Sequence, residues 1–345
     1  MNIIVTNPDG IIVTSLFSTT PRQSTVLLLL FVSISFLLVI IDRSPVHLEK
    51  RAPAVAITEQ SLAFYEGTLS GSLGGPYAYR VLVPYGISVF HALLPFAPVL
   101  VIDGIIKFFL LILCQWGLYR YLCLFFPRSA ALFGVLYADI LISFTLSSIA
   151  GPSITETADI LNMVFFIAAF YALHQRSLPL LLITLFVATW NRETILAILP
   201  MIIIDDIRRK ERPIRSIAAM VVVLSAYVVI RLIIPASQGA WFTFTGLVKN
   251  IPFLSPEHTM NALMGNIHVA LLLLPLIVLS LVGFRRKPVF LQNAMAIVPL
   301  FIVAHYLVGV IIETRLWMPL FIILIPLSLI TILESLERPS SNTPS

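Results

Sequence analysis

Acidic residues and arginines gather at four turns between the apolar blocks of this 345-residue chain. In chain order the groups are Glu59, Glu66 and Arg80; Thr155-Glu156 with Asp159; Asn191-Arg192-Glu193-Thr194; and Glu313-Thr314-Arg315. A carboxylate can take the proton of a reacting hydroxyl, and an arginine can hold a phosphate through two parallel hydrogen bonds. These residue types could therefore form an acid–base and anion-binding site, if the fold brings the four turns together.

The elements that must position these turns are membrane-spanning helices. Hydrophobic residues make up 59% of the chain and charged residues 11%, with a mean hydropathy of +0.99. Soluble domains carry about 25% charged residues, so this composition excludes an ordinary soluble enzyme, a disordered chain and a coiled coil. Both cysteines, Cys114 and Cys123, fall in one apolar block, which excludes a disulfide scaffold. We therefore expect a polytopic membrane protein.

Ten apolar blocks are candidates for helices across a bilayer, which need about 20 residues each. They are residues 25–41, 99–125, 129–148, 158–173, 178–190, 194–204, 216–234, 267–283, 289–311 and 316–333. The fifth and sixth blocks are short, so we expect the junction between them to lie below the outer surface. Lipid permits only helices or closed barrels, and the blocks lack strand alternation. The sequence thus predicts one all-α domain, residues 1–345, a transmembrane helical bundle of about ten spans.

The formal charge of +5 comes from basic residues in short clusters between the apolar blocks. This distribution is typical of cytoplasmic loops and argues against nucleic-acid binding. The clusters in Asp205–Arg215 and Arg285–Lys287 are both expected inside. Residues 1–24 and 334–345 then form cytoplasmic tails, and residues 42–98 form a long outer loop after the first span. All four acidic turns fall on the outer side.

The segment Val81–Val99 decides the sidedness of the first loop. Its prolines and glycine favour a broken or re-entrant piece that does not span; if it did span, the part of the loop before it would lie inside. The first block is read as an uncleaved anchor, because the cleavage-like Ala54-Val55-Ala56 lies far beyond it. Three tryptophans are expected to anchor the outer interface, namely Trp190, Trp241 and Trp317.

Each polar group also has a purely structural interpretation. Arg192 with Glu193, and Glu313 with Arg315, could neutralise each other and hold helices together. Glu59 and Glu66 could simply be solvated, and Arg80 beside Tyr79 could anchor the chain at the interface. Arg231 could snorkel, with its aliphatic part in the apolar region and its charge at the interface. Asp103 and Lys107, four residues apart on one helix, could pair with each other. The coincidence of four turns on one side favours an outward-facing site over these local readings.

Asp139 lies near the middle of its apolar block with no partner nearby in the sequence. A carboxylate at that depth is costly, so it either packs against a polar group of another helix or belongs to an ion path. This residue, with the proline- and glycine-broken helices, supports an alternative function as a secondary transporter or lipid flippase. Nucleotide-loop and metalloprotease motifs are absent, and the six histidines lack ligand spacing, so no metal site is assigned.

The order of the polar motifs resembles a known family. One anchor is followed by an acidic outer loop, Tyr79-Arg80-Val81-Leu82-Val83-Pro84, Thr155-Glu156, Asn191-Arg192-Glu193-Thr194, and Glu313-Thr314-Arg315 before a proline-bearing last helix. This arrangement is similar to bacterial integral membrane glycosyltransferases of the GT-C superfamily, relatives of the dolichyl-phosphate-mannose mannosyltransferases. The resemblance covers most of the chain and rests on short motifs.

The resemblance implies roles for individual residues. Glu59–Gly67 corresponds to the segment that supplies the family's catalytic carboxylate, but the family's Asp is absent, which leaves Glu59 and Glu66 both open as the base. Glu156 replaces the Asp of a Thr-Asp pair and joins the catalytic candidates. The implied substrate-binding residues are Tyr79, Arg80, Asp159, Asn191, Arg192, Glu193, Glu313 and Arg315.

The implied activity is transfer of a sugar from a polyprenyl-phosphate donor to an acceptor of unknown identity, at the outer face of a bacterial inner membrane. The arginines would stabilise the phosphate leaving group. The cofactor is not fixed by the sequence, because carboxylates together with the donor phosphate could bind Mg²⁺ or Mn²⁺.

Overall fold

The computed structural model of the chain describes residues 5–6, 12–13, 21–43, 54–74, 77–146, 154–234, 249–251, 254, 259–309 and 313–337. The predicted anchor Trp241, most of both predicted tails and part of the predicted outer loop lie outside these residues. Apart from a two-residue antiparallel pair, Val5–Thr6 with Ile12–Val13, every described element is helical. The predicted all-α class is therefore confirmed for the described part of the chain.

Thirteen α-helices are described. The first seven are α1 (Pro21–Arg43), α2 (Ala54–Ser70), α3 (Leu82–Leu93), α4 (Val99–Leu122), α5 (Arg128–Leu146), α6 (Ile154–His174) and α7 (Leu178–Thr189). The others are α8 (Leu199–Arg209), α9 (Ile214–Ile233), α10 (Thr259–Leu281), α11 (Val289–Met295), α12 (Ile297–Val308) and α13 (Met318–Glu337). Short 3₁₀ turns occupy Tyr77–Tyr79, Glu193–Ile198, Phe284–Arg286 and Thr314–Trp317.

Seven helices are long and apolar enough to cross a membrane. They are Val99–Leu122, Arg128–Thr145, Glu156–His174, Ile214–Ile233, Ala262–Leu281, Val289–Val308 and Thr314–Leu336. Three shorter apolar helices accompany them, namely Ser24–Ile40, Leu82–Leu93 and Leu178–Thr189. A polytopic helical bundle is thus supported by seven helices, and the predicted total of about ten spans stays a prediction.

The last helix is the centre of the bundle. In the apolar stretch of Thr314–Leu336, 78% of the residues are buried inside the protein, whereas the figure is 28% in the peripheral helices Ile214–Ile233 and Ala262–Leu281. Helix α13 packs against α5, α6, α10 and α11, so all its faces have helical neighbours. The two peripheral helices expose rows of leucine and valine, as expected for surfaces that face lipid.

The two short predicted spans differ from the structure in form. Helix α7 has twelve residues and α8 has eleven, and a 3₁₀ turn joins them through Glu193–Ile198. At 1.5 Å per residue, α7 is about 18 Å long, well short of the roughly 30 Å of a bilayer core. Neither helix alone is long enough to cross, and the depth of the Asn191-Arg192 junction below the outer surface stays a prediction.

The predicted outer loop contains helices. Helix α2 buries Ser61, Tyr65 and Thr68 on one face and packs against α3 and α6. Helix α3 has twelve residues, ends before the turn that precedes α4, and is shorter than a spanning helix; that Val81–Val99 does not cross stays a prediction. Tyr65 and residues of α3, α4 and α6 form a second small apolar core there. This packing brings the segment before α3 to the start of α6.

Candidate functional site

The start of α6 collects charged residues from four distant parts of the chain. Glu156 lies in the first turn of α6, where a helix terminus favours negative charge, and Asp159 follows three residues later on the same face. Ion pairs join these acids to basic residues on other segments. We call the group the α6 cluster: Arg80, Lys107, Glu156, Asp159, Arg192, Glu193, Glu313 and Arg315.

Asp159 lies between two guanidinium groups. Arg192, which follows α7, forms an ion pair with its Oδ1, and Arg315 Nε lies 3.1 Å from its Oδ2. The exposed fraction of each of these three side chains is below one tenth. Burying such charges is favourable only when they are closely paired, so this triad fixes α6, the turn after α7 and the turn before α13 together.

Glu156 also has two basic neighbours. Lys107 Nζ on α4 lies 3.2 Å from its Oε2, and Arg315 Nη1 lies 3.7 Å from its Oε1. Asp103, one turn before Lys107, accepts a hydrogen bond of 2.6 Å from the hydroxyl of Thr157. The pair between Asp103 and Lys107 within α4 stays a prediction, and each of these residues also has a partner on α6.

Two further carboxylates form the more accessible edge of the cluster. Arg80 Nη2 lies 3.4 Å from Glu193 Oε1, and Arg315 Nη2 lies 3.1 Å from Glu313 Oε2. The exposed fractions of the Glu193 and Glu313 side chains are 27% and 22%. The local pair Glu313–Arg315 considered from the sequence is present, whereas Glu193 pairs with a residue 113 positions away.

The charges of the cluster shift the pKa values of Arg192 and Glu193, which lie at the junction between α7 and α8. Burial alone would raise the pKa of Glu193, but Arg80 and Arg192 outweigh it and lower that pKa below its usual range. Burial lowers the pKa of Arg192, and the neighbouring Arg80 adds to the effect. A guanidinium stays charged at neutral pH, and the lowered pKa of Glu193 favours its carboxylate form beside it.

Amide side chains support the junction from within. Asn191 donates a 2.8 Å hydrogen bond to the carbonyl of Ala158, and Asn162 donates a 3.0 Å hydrogen bond to the hydroxyl of Thr194. Within the described part of the chain, the Oδ1 atoms of both asparagines are buried and accept no hydrogen bond. The predicted binding residue Asn191 therefore positions the junction and keeps one buried acceptor atom unused.

Tyr79 lies at the side of the cluster next to α9. The guanidinium of Arg231 lies 4.4 Å from the centre of the Tyr79 ring and 3.3 Å from that of Tyr227. A cation over an aromatic ring is attracted by the negative face of the ring. The expected snorkelling of Arg231 stays a prediction; its guanidinium connects α9 to the segment that carries Arg80.

The two predicted bases lie apart from these ion pairs. Glu59 and Glu66 are seven residues apart on α2 and exposed, on the face opposite Ser61, Tyr65 and Thr68. Among the described residues, neither glutamate forms an ion pair with the cluster. The structure thus brings together the predicted Arg80, Glu156, Asp159, Arg192, Glu193, Glu313 and Arg315, and leaves Glu59 and Glu66 at the surface.

Asp139 belongs to a separate polar group. Its Oδ1 accepts a 3.1 Å hydrogen bond from Gln115 on α4, whose Oε1 accepts a 3.2 Å hydrogen bond from Ser35 on α1. The Asp139 side chain is buried, and its Oδ2 has no hydrogen-bond partner in the described residues. Of the two sequence interpretations, packing against polar groups of other helices is present.

The expected anchoring role of Trp317 is wrong. Its side chain is fully buried at the start of α13, 5.2 Å from the ring of His305 and 6.3 Å from that of Phe301. It packs in the core because α13 is central, so the position that looked interfacial in the sequence is enclosed by other helices.

The acids of the α6 cluster do not suit a metal ion. Each of its four carboxylates faces an arginine or lysine, and no group of three or more His, Cys, Asp or Glu in the described residues could hold a metal ion. Hard cations need several free oxygen ligands. We therefore derive no step through Mg²⁺ or Mn²⁺ from these residues.

Sequence reasoning missed three members of the site. Lys107 and Thr157 were not assigned to it, and Arg231 was read as an interfacial residue. A signal for Lys107 was available, because a lysine two turns into an apolar helix needs a partner at that depth. The acid that pairs with Lys107 is determined by the packing of α4 along α6. A local sequence pattern does not reveal that packing.

Comparisons with known proteins add no further constraint. No family model, no curated protein and no solved structure matches the chain.

Proposed function

We propose that the chain transfers a sugar from a polyprenyl-phosphate donor to an acceptor at the non-cytoplasmic face of a bacterial inner membrane. The observation that carries this proposal is the convergence of Arg80, Glu156, Arg192 and Arg315 in one buried cluster. These residues come from motifs separated by up to 235 positions and are the ones that the GT-C resemblance marks. If the ion pairs only held neighbouring helices together, the clustered residues would not need to be the same residues that the resemblance marks.

The accessible edge of the cluster supports binding of an anionic headgroup. Glu193 and Glu313 are partly exposed, and each holds an arginine of the cluster. A donor phosphate that reaches Arg80 or Arg315 can therefore replace a surface carboxylate as hydrogen-bond acceptor, without displacing the buried acids. The prenyl tail can remain in the bilayer, since the helices around the cluster are of spanning length.

The proposed reaction is a single displacement. The acceptor oxygen bonds to the anomeric carbon while the bond from that carbon to the phosphate oxygen breaks, and polyprenyl phosphate leaves with the electron pair. A carboxylate takes the hydroxyl proton, and arginines stabilise the charge that grows on the phosphate. Glu59 and Glu66 are open to an acceptor from solvent, whereas Glu156 already faces Lys107 and Arg315.

The proposal is tested by sugar transfer in membranes that contain the full chain and a panel of polyprenyl-phosphate hexoses. Removing one charge-stabilising donor typically costs about 10²–10³-fold in rate, so Arg80→Gln should lower transfer by that order. Glu59→Ala or Glu66→Ala should abolish transfer at unchanged membrane abundance. Arg176→Gln, at an exposed pair with Glu211, is the matched control and should transfer at the wild-type rate.

Two outcomes would contradict parts of this scheme. Wild-type transfer by both glutamate variants would remove the proposed base. Wild-type transfer by Arg80→Gln would remove the anion-binding role of the cluster.

A second candidate function rests on Asp139. A buried carboxylate with one oxygen outside any hydrogen bond in the described residues is a group that a proton- or ion-coupled transporter could use. Loss of substrate uptake in Asp139→Asn alone, with sugar transfer absent in the wild type, would favour this function.

A further inference from the structure

A lateral groove opens between α4, α6 and α7, away from the α6 cluster. Its volume is about 300 Å³, and its floor includes Gly117 and Ala168. Lys107 of the cluster precedes Arg120 of the groove by thirteen residues on α4, which corresponds to about 20 Å along a helix. The groove is therefore a separate feature near the other end of the bundle.

Small residues create the groove. Gly117 lets α4 approach α6 closely, since a Cβ at this position would lie only 3.2 Å from Ile167 Cγ2. Ala168, on the neighbouring turn of α6, also fills little space. Larger apolar side chains, Leu113 and Leu180, stand at the sides and are 49% and 42% exposed. The groove thus faces outward from the bundle, where lipid chains lie.

The polarity of the groove changes along its length. Arg120, in the last turn of α4, and Tyr171, near the end of α6, line the same groove as the apolar residues. Arg128, at the start of α5 and eight residues after Arg120, adds a second positive charge to the connection between α4 and α5. From Leu113 to Arg120 the groove follows about two turns of α4, roughly 10 Å, which suits a segment of one acyl chain with an anionic headgroup beside Arg120 and Tyr171.

We propose that this groove binds an anionic phospholipid from the leaflet that borders the basic loops. One acyl chain lies along Gly117, Ala168 and Leu113, and the phosphate accepts hydrogen bonds from Arg120 and the hydroxyl of Tyr171. Basic pockets between membrane helices bind such headgroups, and arginine holds a phosphate through two hydrogen bonds. Neither the proposed sugar transfer nor its donor site is needed for this interaction.

Native mass spectrometry of the purified full chain tests the proposal with phosphatidylglycerol, phosphatidylethanolamine and free glycerol phosphate as probes. The wild type should retain one phosphatidylglycerol in preference to phosphatidylethanolamine, and no glycerol phosphate. Arg120→Gln should weaken phosphatidylglycerol binding about fivefold, which corresponds to about 1 kcal/mol per basic side chain at a membrane surface. Ala168→Phe should remove the bound lipid by filling the groove.

The control variant is Arg286→Gln. Arg286 is an exposed arginine, like Arg120 a basic residue, but it lies in a different basic loop. The variant should retain phosphatidylglycerol as the wild type does, and Arg120→Gln keeps the test valid if Ala168→Phe fails to fold. Equal retention of the two phospholipids by the wild type, unchanged binding in Arg120→Gln, or a dimer that Ala168→Phe dissociates would each overturn the proposal.

Discussion

Two clusters of acids and arginines lie at opposite ends of α6 and differ in how their partners are connected. The second, which we call the α8–α9 cluster, contains Asp205, Asp206, Arg209, Arg215, Ser216 and Asn293. His174, at the end of α6, lies within electrostatic reach of Asp205 and Arg209, which places this cluster there. The α6 cluster lies at the start of the same helix.

The α8–α9 cluster is built mainly from residues that are close in the sequence. Arg215 donates to Asp206 Oδ1 at 2.8 Å and to Asp205 Oδ2 at 2.8 Å, and the backbone of Ser216 donates to Asp206 Oδ2. These partners are ten or fewer residues apart, across the turn between two helices. Among the described residues, Asn293 joins from elsewhere, at 3.1 Å from Asp205. Such an arrangement fixes a helical hairpin, and its central carboxylates, Asp205 and Asp206, are buried.

The α6 cluster is assembled from distant segments. Both clusters hold a buried atom without a hydrogen-bond partner in the described residues, Arg192 Nε in the α6 cluster and Asn293 Oδ1 in the α8–α9 cluster. The edge carboxylates of the α6 cluster are partly exposed, whereas Asp205 and Asp206 are not. The comparison indicates that the same residue types serve folding at one end of α6 and suit ligand binding at the other.

The largest expected effect concerns the buried core of the α6 cluster. Lys107→Met should lower the free energy of unfolding by about 3–5 kcal/mol, because Glu156 would stay buried with less compensation. Unfolding in mixed detergent micelles measures this change. Arg176→Met is the control, since its exposed pair with Glu211 should contribute at most about 1 kcal/mol. Equal losses in both variants would mean that the Lys107–Glu156 pair is solvated.

The next effect separates the functions of the two clusters. Asp206→Asn should cost about 2–3 kcal/mol of stability, since it weakens charged hydrogen bonds from Arg215, and leave the rate of sugar transfer per folded molecule unchanged. Glu193→Gln should show the reverse pattern, with small loss of stability and altered transfer. A transfer defect in Asp206→Asn equal to that of Glu193→Gln would erase the distinction between the clusters.

Acid should weaken the α8–α9 cluster in a defined range. Burial would raise the pKa of Asp205, but Arg215 and Arg209 outweigh it and lower that pKa. A lowered folded-state pKa gives stability that is present above the unfolded value of about 3.9 and is lost as the pH falls through the folded value. Thermal unfolding of the wild type and Asp205→Asn should therefore differ at pH 7 and converge below about pH 4. A constant difference down to pH 3 would argue against this ionisation.

The smallest effect concerns the aromatic side of the α6 cluster. Tyr79→Leu should cost about 0.5–1 kcal/mol, because one ring under the Arg231 guanidinium is lost. Tyr85→Leu, at a tyrosine that is 45% exposed, should change the free energy of unfolding by less. If the two losses are the same, the Tyr79–Arg231 stack contributes nothing measurable.

The membrane helices could be predicted from the sequence because their signal is local. Runs of apolar residues predicted the seven helices of spanning length. The prolines of Val81–Val99 predicted an interrupted segment, in which the structure has the short helix α3. Helix α2 was missed, because its mixture of alanine, polar and acidic residues reads as a loop until Tyr65 is packed against α3 and α6.

The candidate site could be predicted only as a set of residues. The coincidence of acids and arginines at four turns identified most members of the α6 cluster. Apart from the local pair Glu313–Arg315, the ion pairs among them could not be predicted from spacing alone. Glu193 pairs with Arg80 and not only with its neighbour, since the backbone N–H of Val81 binds the carbonyl of Trp190 and brings the two segments together. The burial of Trp317 likewise depends on the central place of α13.

The affinity of the purified full chain for polyprenyl monophosphate, the product left after sugar transfer, tests the central claim most directly. Charged hydrogen bonds contribute about 1.5–3 kcal/mol, so Arg80→Gln should bind this lipid roughly ten- to a hundredfold more weakly than the wild type. Asp206→Asn, in the α8–α9 cluster, should bind as the wild type does. Equal affinity of the wild type and Arg80→Gln would contradict the claim that the α6 cluster receives the donor phosphate.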